Sequence, residues 1–276
     1  MIQNDLSLNL RSYWNTRHTV VGLFEDIDFL LFDRILTDQT GKGLKGDLLE
    51  IGTFMGKSAI VIGLHAQDAE RLIVCDIFED STADTANDRE NAASYGGLTR
   101  QAFEATYARY VPRSATILQE LSSHVREHVQ DGSIRFAHID GSHLFKVVEG
   151  DIANVRHLLG GGGVVVFDDF RAVHSPGVAA AVWAAVANDG LLPICLSDTK
   201  FYGTWSESVA DDVRESTAGW LSRHPEVRTG QQSIHGGTVL LVANPLIWTT
   251  RRRIKALLPP ALTERLLGRQ RAHLGG

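Results

Sequence analysis

A chain of 276 residues, 43% hydrophobic and 22% charged, has enough apolar surface for one large buried core and does not read as a disordered polymer. Its net charge is −6, but seven basic residues against Glu264 alone give residues 245–276 a charge of +6, so the remainder carries −12; a body that acidic repels polyphosphate, which excludes nucleic acid as the main partner. No apolar run approaches the ~18 residues of a membrane-spanning helix. Asp5, Glu25, Asp26 and Asp28 interrupt the N-terminal region, so no signal peptide is read and a cytoplasmic protein is expected.

Along the chain, Phe24, Ile27, Leu30, Leu31 and Ile35 recur at the spacing of one helix face. Residues 1–45 therefore read as a helical N-terminal extension, closed by the loop glycines Gly41, Gly43 and Gly46. Five strand-like runs follow: Asp47–Gly52, Leu72–Ile77, Ala115–Leu118, Ile134–Ile139 and Gly163–Phe167. Helical stretches separate them at Lys57–Gln67, Thr99–Tyr110, Leu121–Val129 and Lys146–Leu159. Alternation of this kind predicts an α/β fold, a doubly wound, mostly parallel sheet with right-handed crossovers. After a helix over Ser175–Asn188, the apolar runs Leu191–Leu196 and Thr238–Val242, separated by a long insert, fit an antiparallel edge. Cys75 and Cys195 lie inside apolar runs and read as small buried hydrophobes, with neither a disulfide nor a zinc site expected.

Ligands of open α/β sheets bind at the carboxyl ends of the strands. The first strand ends Glu50-Ile-Gly52-Thr53-Phe-Met-Gly56-Lys-Ser58. Gly52 and Gly56 permit a tight turn and close approach of a ligand to backbone. Ser58 and the free amides of the helix start can hold polar groups. A dinucleotide fingerprint counted from Gly52 would need glycine at Phe54 and Lys57, which disfavours NAD. Glu50 beside the loop would repel a pyrophosphate and attract an ammonium or sulfonium group. The second strand ends in Asp76, about twenty residues past the loop, where an acid can accept both hydroxyls of a ribose. Together these describe a nucleoside site with a cationic, non-phosphorylated extension, the shape and charge of S-adenosylmethionine.

The fourth run ends His138-Ile-Asp140-Gly-Ser142-His143, and the fifth ends Phe167-Asp168-Asp169-Phe170. Three carboxylates do not share a pocket unpaired. Either some are protonated, or Lys or Arg pairs them, or a hard divalent cation such as Mg²⁺ binds; the metal is the favoured reading. His143 is the candidate general base. His138 shares strand parity with Asp140 and reads as structural. The other histidines, including His65, His124, His157 and His174, form no local ligand spacing.

These runs, with Asp151, Gly162-Gly-Val-Val-Val-Phe-Asp168-Asp169-Phe170, Asp76-Ile-Phe-Glu79 and Pro176-Gly-Val178, resemble the macrocin O-methyltransferase-like family over approximately residues 46–183. The resemblance implies a class I methyltransferase fold, S-adenosylmethionine as donor, and metal-assisted transfer to a hydroxyl, often of a sugar. Carried over, Asp140, Asp168 and Asp169 would bind the metal, while Glu50, Gly52, Thr53, Gly56, Ser58 and Asp76 would hold the cofactor. Ser142 stands where many relatives have a second acid, which moves the base to His143. The run Gly160–Gly163 replaces a proline-containing turn. The expected layout is a methyltransferase domain over residues 46–245 and a basic appendage over 246–276. Two short apolar faces in that appendage suit the protein's own acidic body, an anionic membrane surface or a second subunit. The expected partner is a hydroxylated small molecule, such as a glycoside or glycolipid. Two other classes stay open: a non-catalytic S-adenosylmethionine-binding protein and a nicotinamide-dependent oxidoreductase.

Overall fold

The computed structural model describes residues 5–80, 99–234 and 237–243. Within them one mixed sheet contains nine strands: β1 (Asp47–Ile51), β2 (Leu72–Cys75), β3 (Thr116–Leu118), β4 (Ile134–Ile139), β5 (Leu159–Phe167), β6 (Leu192–Leu196), β7 (Phe201–Thr204), β8 (Arg228–Ile234) and β9 (Gly237–Ala243). Their order is β3-β2-β1-β4-β5-β7-β6-β9-β8. The first five strands are parallel. The order reverses between β1 and β4, the switch point beside which such sheets open a ligand crevice.

Five strands and their crossover helices lie where hydrophobic patterning puts them. The helix over 121–129 is reduced to a turn of 3₁₀ helix and the single α-turn Val125–His128. The far side of the sheet differs more. The runs at 191–196 and 238–242 do lie side by side, but parallel, with Cys195 opposite Leu240. The antiparallel strands are β7, inserted between β5 and β6, and the edge strand β8.

Strand side chains alternate between faces, and here both faces are covered. Leu48, Val74, Phe136, Val164 and Val166 meet the N-terminal helices Leu8–Thr16 and Asp26–Gly41, with Lys57–Leu64 and Glu207–Leu221. Leu49, Ile73, Ala137, Val165 and Phe167 meet the helices Phe145–Leu158 and Pro176–Asn188. Burial on both sides explains why these strands read as unbroken apolar runs. The N-terminal extension is thus one wall of the core: Phe29, Leu31, Phe32 and Ile35 are all essentially inaccessible. Arg135 at the foot of β4 ties the layers together, with a bidentate pair to Glu70 at 3.0 and 2.8 Å and a bond to the Gln39 side chain at 3.0 Å.

Asp151 is a buried carboxyl that no cation of the described residues pairs. It is 1% exposed. Its Oδ2 has no hydrogen-bond partner among the described residues. Burial pushes its carboxyl up to about 7, against a hydrogen bond from Ser122. A carboxyl raised in the folded state contributes stability below its unfolded value of about 4 and loses it as pH rises through about 7. Asp151→Asn should therefore raise the melting temperature at pH 8, by on the order of 1–2 kcal/mol of stability, and leave it nearly unchanged at pH 4. An equal effect at both pH values would show that the charge is not the cause.

Among the described residues no helix is long and apolar enough to cross a membrane. The segment from Glu79 to Gly97, acidic and rich in Ala, Asn and Ser, also suggests a mobile lid from sequence, but from residue 81 it lies outside the described residues, as does the basic appendage.

Candidate active site at the carboxyl ends of the central strands

The turn after β1 is pressed against the end of β4. Gly52 has φ +75°, and a Cβ there would lie 2.2 Å from the Asp140 carbonyl oxygen. Only glycine fits both the backbone angle and the approach. Gly56, at φ +82°, starts the helix Lys57–Leu64 over the ring of Phe103, which a Cβ would meet at 2.9 Å. Thr53 and Ser58, the hydroxyl side chains of this stretch, are buried.

Glu50 is fully buried, with no accessible surface. It accepts a hydrogen bond from Thr53 Oγ1 at 2.9 Å and faces His138 Nδ1 at 2.8 Å. Burial pushes its carboxyl up to about 7, and bonds from Ser58 and Thr53 act in the other direction. Glu50, Thr53 and Ser58, read from sequence as cofactor contacts, thus form a polar knot beneath the turn. Their side chains hold the backbone of the turn in place. Strand parity carries the reason: Glu50 lies on the same face as Leu48, under the helix Asp26–Gly41.

Asp76 sits just past β2, beside the same turn. Its two carboxylate oxygens accept the backbone amides of Thr53 and Phe78, each at 2.7 Å. Burial raises its carboxyl and these amides oppose the shift. The Phe54 amide also bonds this carboxylate, so of its roughly four lone-pair sites three are taken by backbone amides.

The acids after β4 and β5 divide into two groups. Val166 pairs with Tyr202 and Phe167 with Phe201, so continuing the antiparallel register sets Asp168 against Lys200. Lys200 Nζ makes an ion pair with Asp168 Oδ2 and lies 3.1 Å from His138 Nε2. Lys200 is 1% exposed, and its ammonium lies 5.3 Å from the centre of the Phe24 ring. An ammonium only donates, so His138 accepts at Nε2 and donates from Nδ1 to Glu50. Burial and the nearby ammonium keep this imidazole well below its usual range, hence neutral. Burial would raise the Asp168 carboxyl, but Lys200 overrides it and holds it low. Asp140 faces the same space and is pushed far up, by burial and then by Asp168.

Asp169 turns the other way. Its φ of +53° is unusual for a residue other than glycine. Its Oδ2 lies 2.8 Å from His143 Nε2 and 3.8 Å from His174 Nε2. The two imidazoles meet edge to face, 5.5 Å apart. Gly177 lets the β4 loop lie on the helix Pro176–Asn188, since a Cβ would stand 2.4 Å from the His143 carbonyl.

The three carboxylates expected to bind one metal therefore do not converge as an oxygen-only set. The groups whose ligand atoms come together are His138 with Asp140 and Asp168, and His143 with Asp169 and His174. Lys200, His174 and Phe24 were missed as neighbours of the site. Pairing by a lysine was one of the options the carboxylates left open, but only the register of β7 identifies which lysine.

Residues 49–170 match the family model described as a methyltransferase domain. No curated protein matches the chain in sequence. The solved structure of the O-methyltransferase NovP is similar at a TM-score of 0.50 and 17% identity, over 65% of this chain and 81% of that one. The calicheamicin methyltransferase CalS11 is similar at 0.50 and 16%, over 75% and 89%. Identity at this level speaks for fold alone. The chain has the Rossmann-like methyltransferase fold, and its residues 49–170 match the sequence pattern of a methyltransferase domain.

Proposed function

We propose that the protein transfers a methyl group from S-adenosylmethionine to a hydroxyl of a small molecule or sugar moiety. The matched methyltransferase stretch contains the turn, Asp76, Asp140, His143 and both strand-end acids. The observation that carries the reading is the His143–Asp169 pair, on the loops after β4 and β5, across the switch point from the glycine turn and Asp76.

Two features support the cofactor reading: the glycine turn after β1, and beside it the carboxylate of Asp76, assigned to the ribose. S-adenosylmethionine, when bound, supplies a methyl group already activated by its sulfonium. The protein then has to orient the acceptor and manage one proton. His143, whose Nε2 lies 2.8 Å from Asp169, is the group assigned to accept the proton of the acceptor hydroxyl. Asp169 fixes the ring and stabilises the imidazolium that forms. Mg²⁺ at Asp140, Asp168 and Asp169 was the expected aid to this step. The pairing of Asp168 with Lys200 and of Asp169 with His143 does not suit that oxygen-only site, and no step is derived through a metal.

The deciding experiment is a mass-shift screen of hydroxylated metabolites, glycosides and glycolipids included, with S-adenosylmethionine supplied. A product 14 Da heavier (one CH₂, by arithmetic about 14) is the expected result. Calorimetric binding of NADH, with none of S-adenosylmethionine, would move the protein to the nicotinamide class. Binding without turnover on any acceptor would leave a non-catalytic binder. Asp76→Ala should weaken S-adenosylmethionine binding by about 1.5–3 kcal/mol, the range for a charged hydrogen bond. Unchanged affinity in a folded variant would remove the ribose assignment.

A further inference from the structure

We propose that Lys200 is the resident cation of the Asp140–Asp168 cluster, occupying with its ammonium the seat that a divalent metal would otherwise take. The inference concerns the cluster itself and holds whether or not methyl transfer is the reaction.

Three observations carry it. His138, Asp140 and Asp168 each direct one ligand atom to a common space. Lys200 Nζ already contacts two of those three atoms' owners, Asp168 through Oδ2 and His138 through Nε2. A metal there would compete with the ammonium for the Asp168 carboxylate and for the His138 Nε2 lone pair, because Nδ1 faces Glu50. The ammonium is also fixed in place. The Lys200 amide donates to Ser197 Oγ at 2.8 Å, and the Lys200 carbonyl accepts from the Ser197 amide at 2.9 Å. The side chain is 1% exposed beneath Phe24, so it has no solvated position nearby to which it could yield.

Charge leads to the same conclusion. Asp168 already has its counter-charge in the Lys200 ammonium, so no second cation is called for. One ammonium supplies a single charge and three donors. A divalent ion entering as well would bring like charge against Lys200 in a poorly solvated space, where repulsion is weakly screened. Lys200 also connects the cluster to the turn: through His138 and Glu50 it is linked to Thr53 and hence to the backbone at the end of β1. The cluster is therefore set for positioning by a covalently attached charge, independent of ion supply.

The test is metal binding by the intact protein, followed by Mg²⁺ thermal shift and by Mn²⁺ electron paramagnetic resonance. The wild type should show no shift in melting temperature with Mg²⁺ and no Mn²⁺ site that depends on Asp168. Lys200→Met removes the resident charge and should gain a Mn²⁺ site at least 10-fold tighter than any in the wild type. Adding Asp168→Asn to that variant should abolish the gain, and Lys200→Arg should stay without one. A wild-type site that Asp168→Asn removes would overturn the proposal. So would a folded Lys200→Met protein that gains no site. If Lys200→Met does not fold, the wild-type Mg²⁺ shift decides against Asp168→Asn as reference: a rise that Asp168→Asn removes assigns the seat to the metal, and no such rise leaves it with Lys200.

Discussion

His143→Ala should lower turnover by roughly 10²–10⁴-fold, the range for loss of a general base, while S-adenosylmethionine binds as before. The separation follows from the architecture. The imidazole is held from β4 and β5, with Asp169 at 2.8 Å, whereas the glycine turn and Asp76 come from β1 and β2. Removing a side chain that is 16% exposed should cost little stability. Asp169→Asn tests the partnership. It keeps the shape but loses the charge that steadies the imidazolium, so it should give a smaller loss in kcat with KM nearly unchanged. The measurement is single-turnover methylation beside calorimetric titration of the cofactor. His143→Ala with a rate within threefold of the wild type would take the base assignment away. Equal loss of cofactor affinity would show that the loop supports the turn and that the two halves of the cleft are not separable.

Gly52→Ala should be the most damaging substitution of a single hydrogen by a methyl group in the chain. The new Cβ would lie 2.2 Å from the Asp140 oxygen and 2.7 Å from Gly141 Cα. Both are backbone atoms, and neither has a rotamer by which to escape. Alanine at φ +75° adds about 1–2 kcal/mol of its own. The total should reach on the order of 3–5 kcal/mol, at the upper end of single substitutions. That corresponds to roughly 10 °C in melting temperature. A survivor should also lose cofactor binding, because Asp140 and the turn must separate to make room. Gly219→Ala is the control. It lies in the helix Glu207–Leu221 with nothing within 4 Å of the added atom, and in a helix alanine is better than glycine by about 1 kcal/mol. The same chemical change should thus have opposite signs at the two positions. Unfolding curves that do not differ would refute the close approach.

The sheet's parallel half was legible because its central strands β1, β2, β4 and β5 are buried on two faces along most of their length. An acid that ends such a strand is conspicuous in sequence, and Asp76, Asp140, Asp168 and Asp169 were all found in this way. The direction in which side chains point was less well read. Glu50 shares parity with Leu48 and Thr53 turns back to it, so both serve the interior, a conclusion available from the period of two. Lys200 was out of reach for another reason. It precedes a four-residue strand, Phe201–Thr204, that contains a glycine and has no alternating pattern, and its partner is set by long-range antiparallel register. The edge strand Arg228–Ile234, reading Arg-Thr-Gly-Gln-Gln-Ser-Ile, has almost no apolar signal. Edge position removes the burial that writes such a signal into sequence.

The N-terminal segment lies outside the stretch that matches a methyltransferase domain, yet it is in contact with the site at three points. Tyr13 Oη donates to the Lys57 carbonyl at 2.9 Å, Lys57 Nζ donates to the Gly22 carbonyl at 2.8 Å, and Phe24 covers the Lys200 ammonium. The boundary of sequence similarity is therefore not the boundary of the working unit. A fragment cut at residue 46 would keep every acid of the cleft and lose the roof over its lysine, together with two of the helices that cover one side of the sheet. Any minimal version of this protein made by trimming, grafting or fusion has to begin before Tyr13.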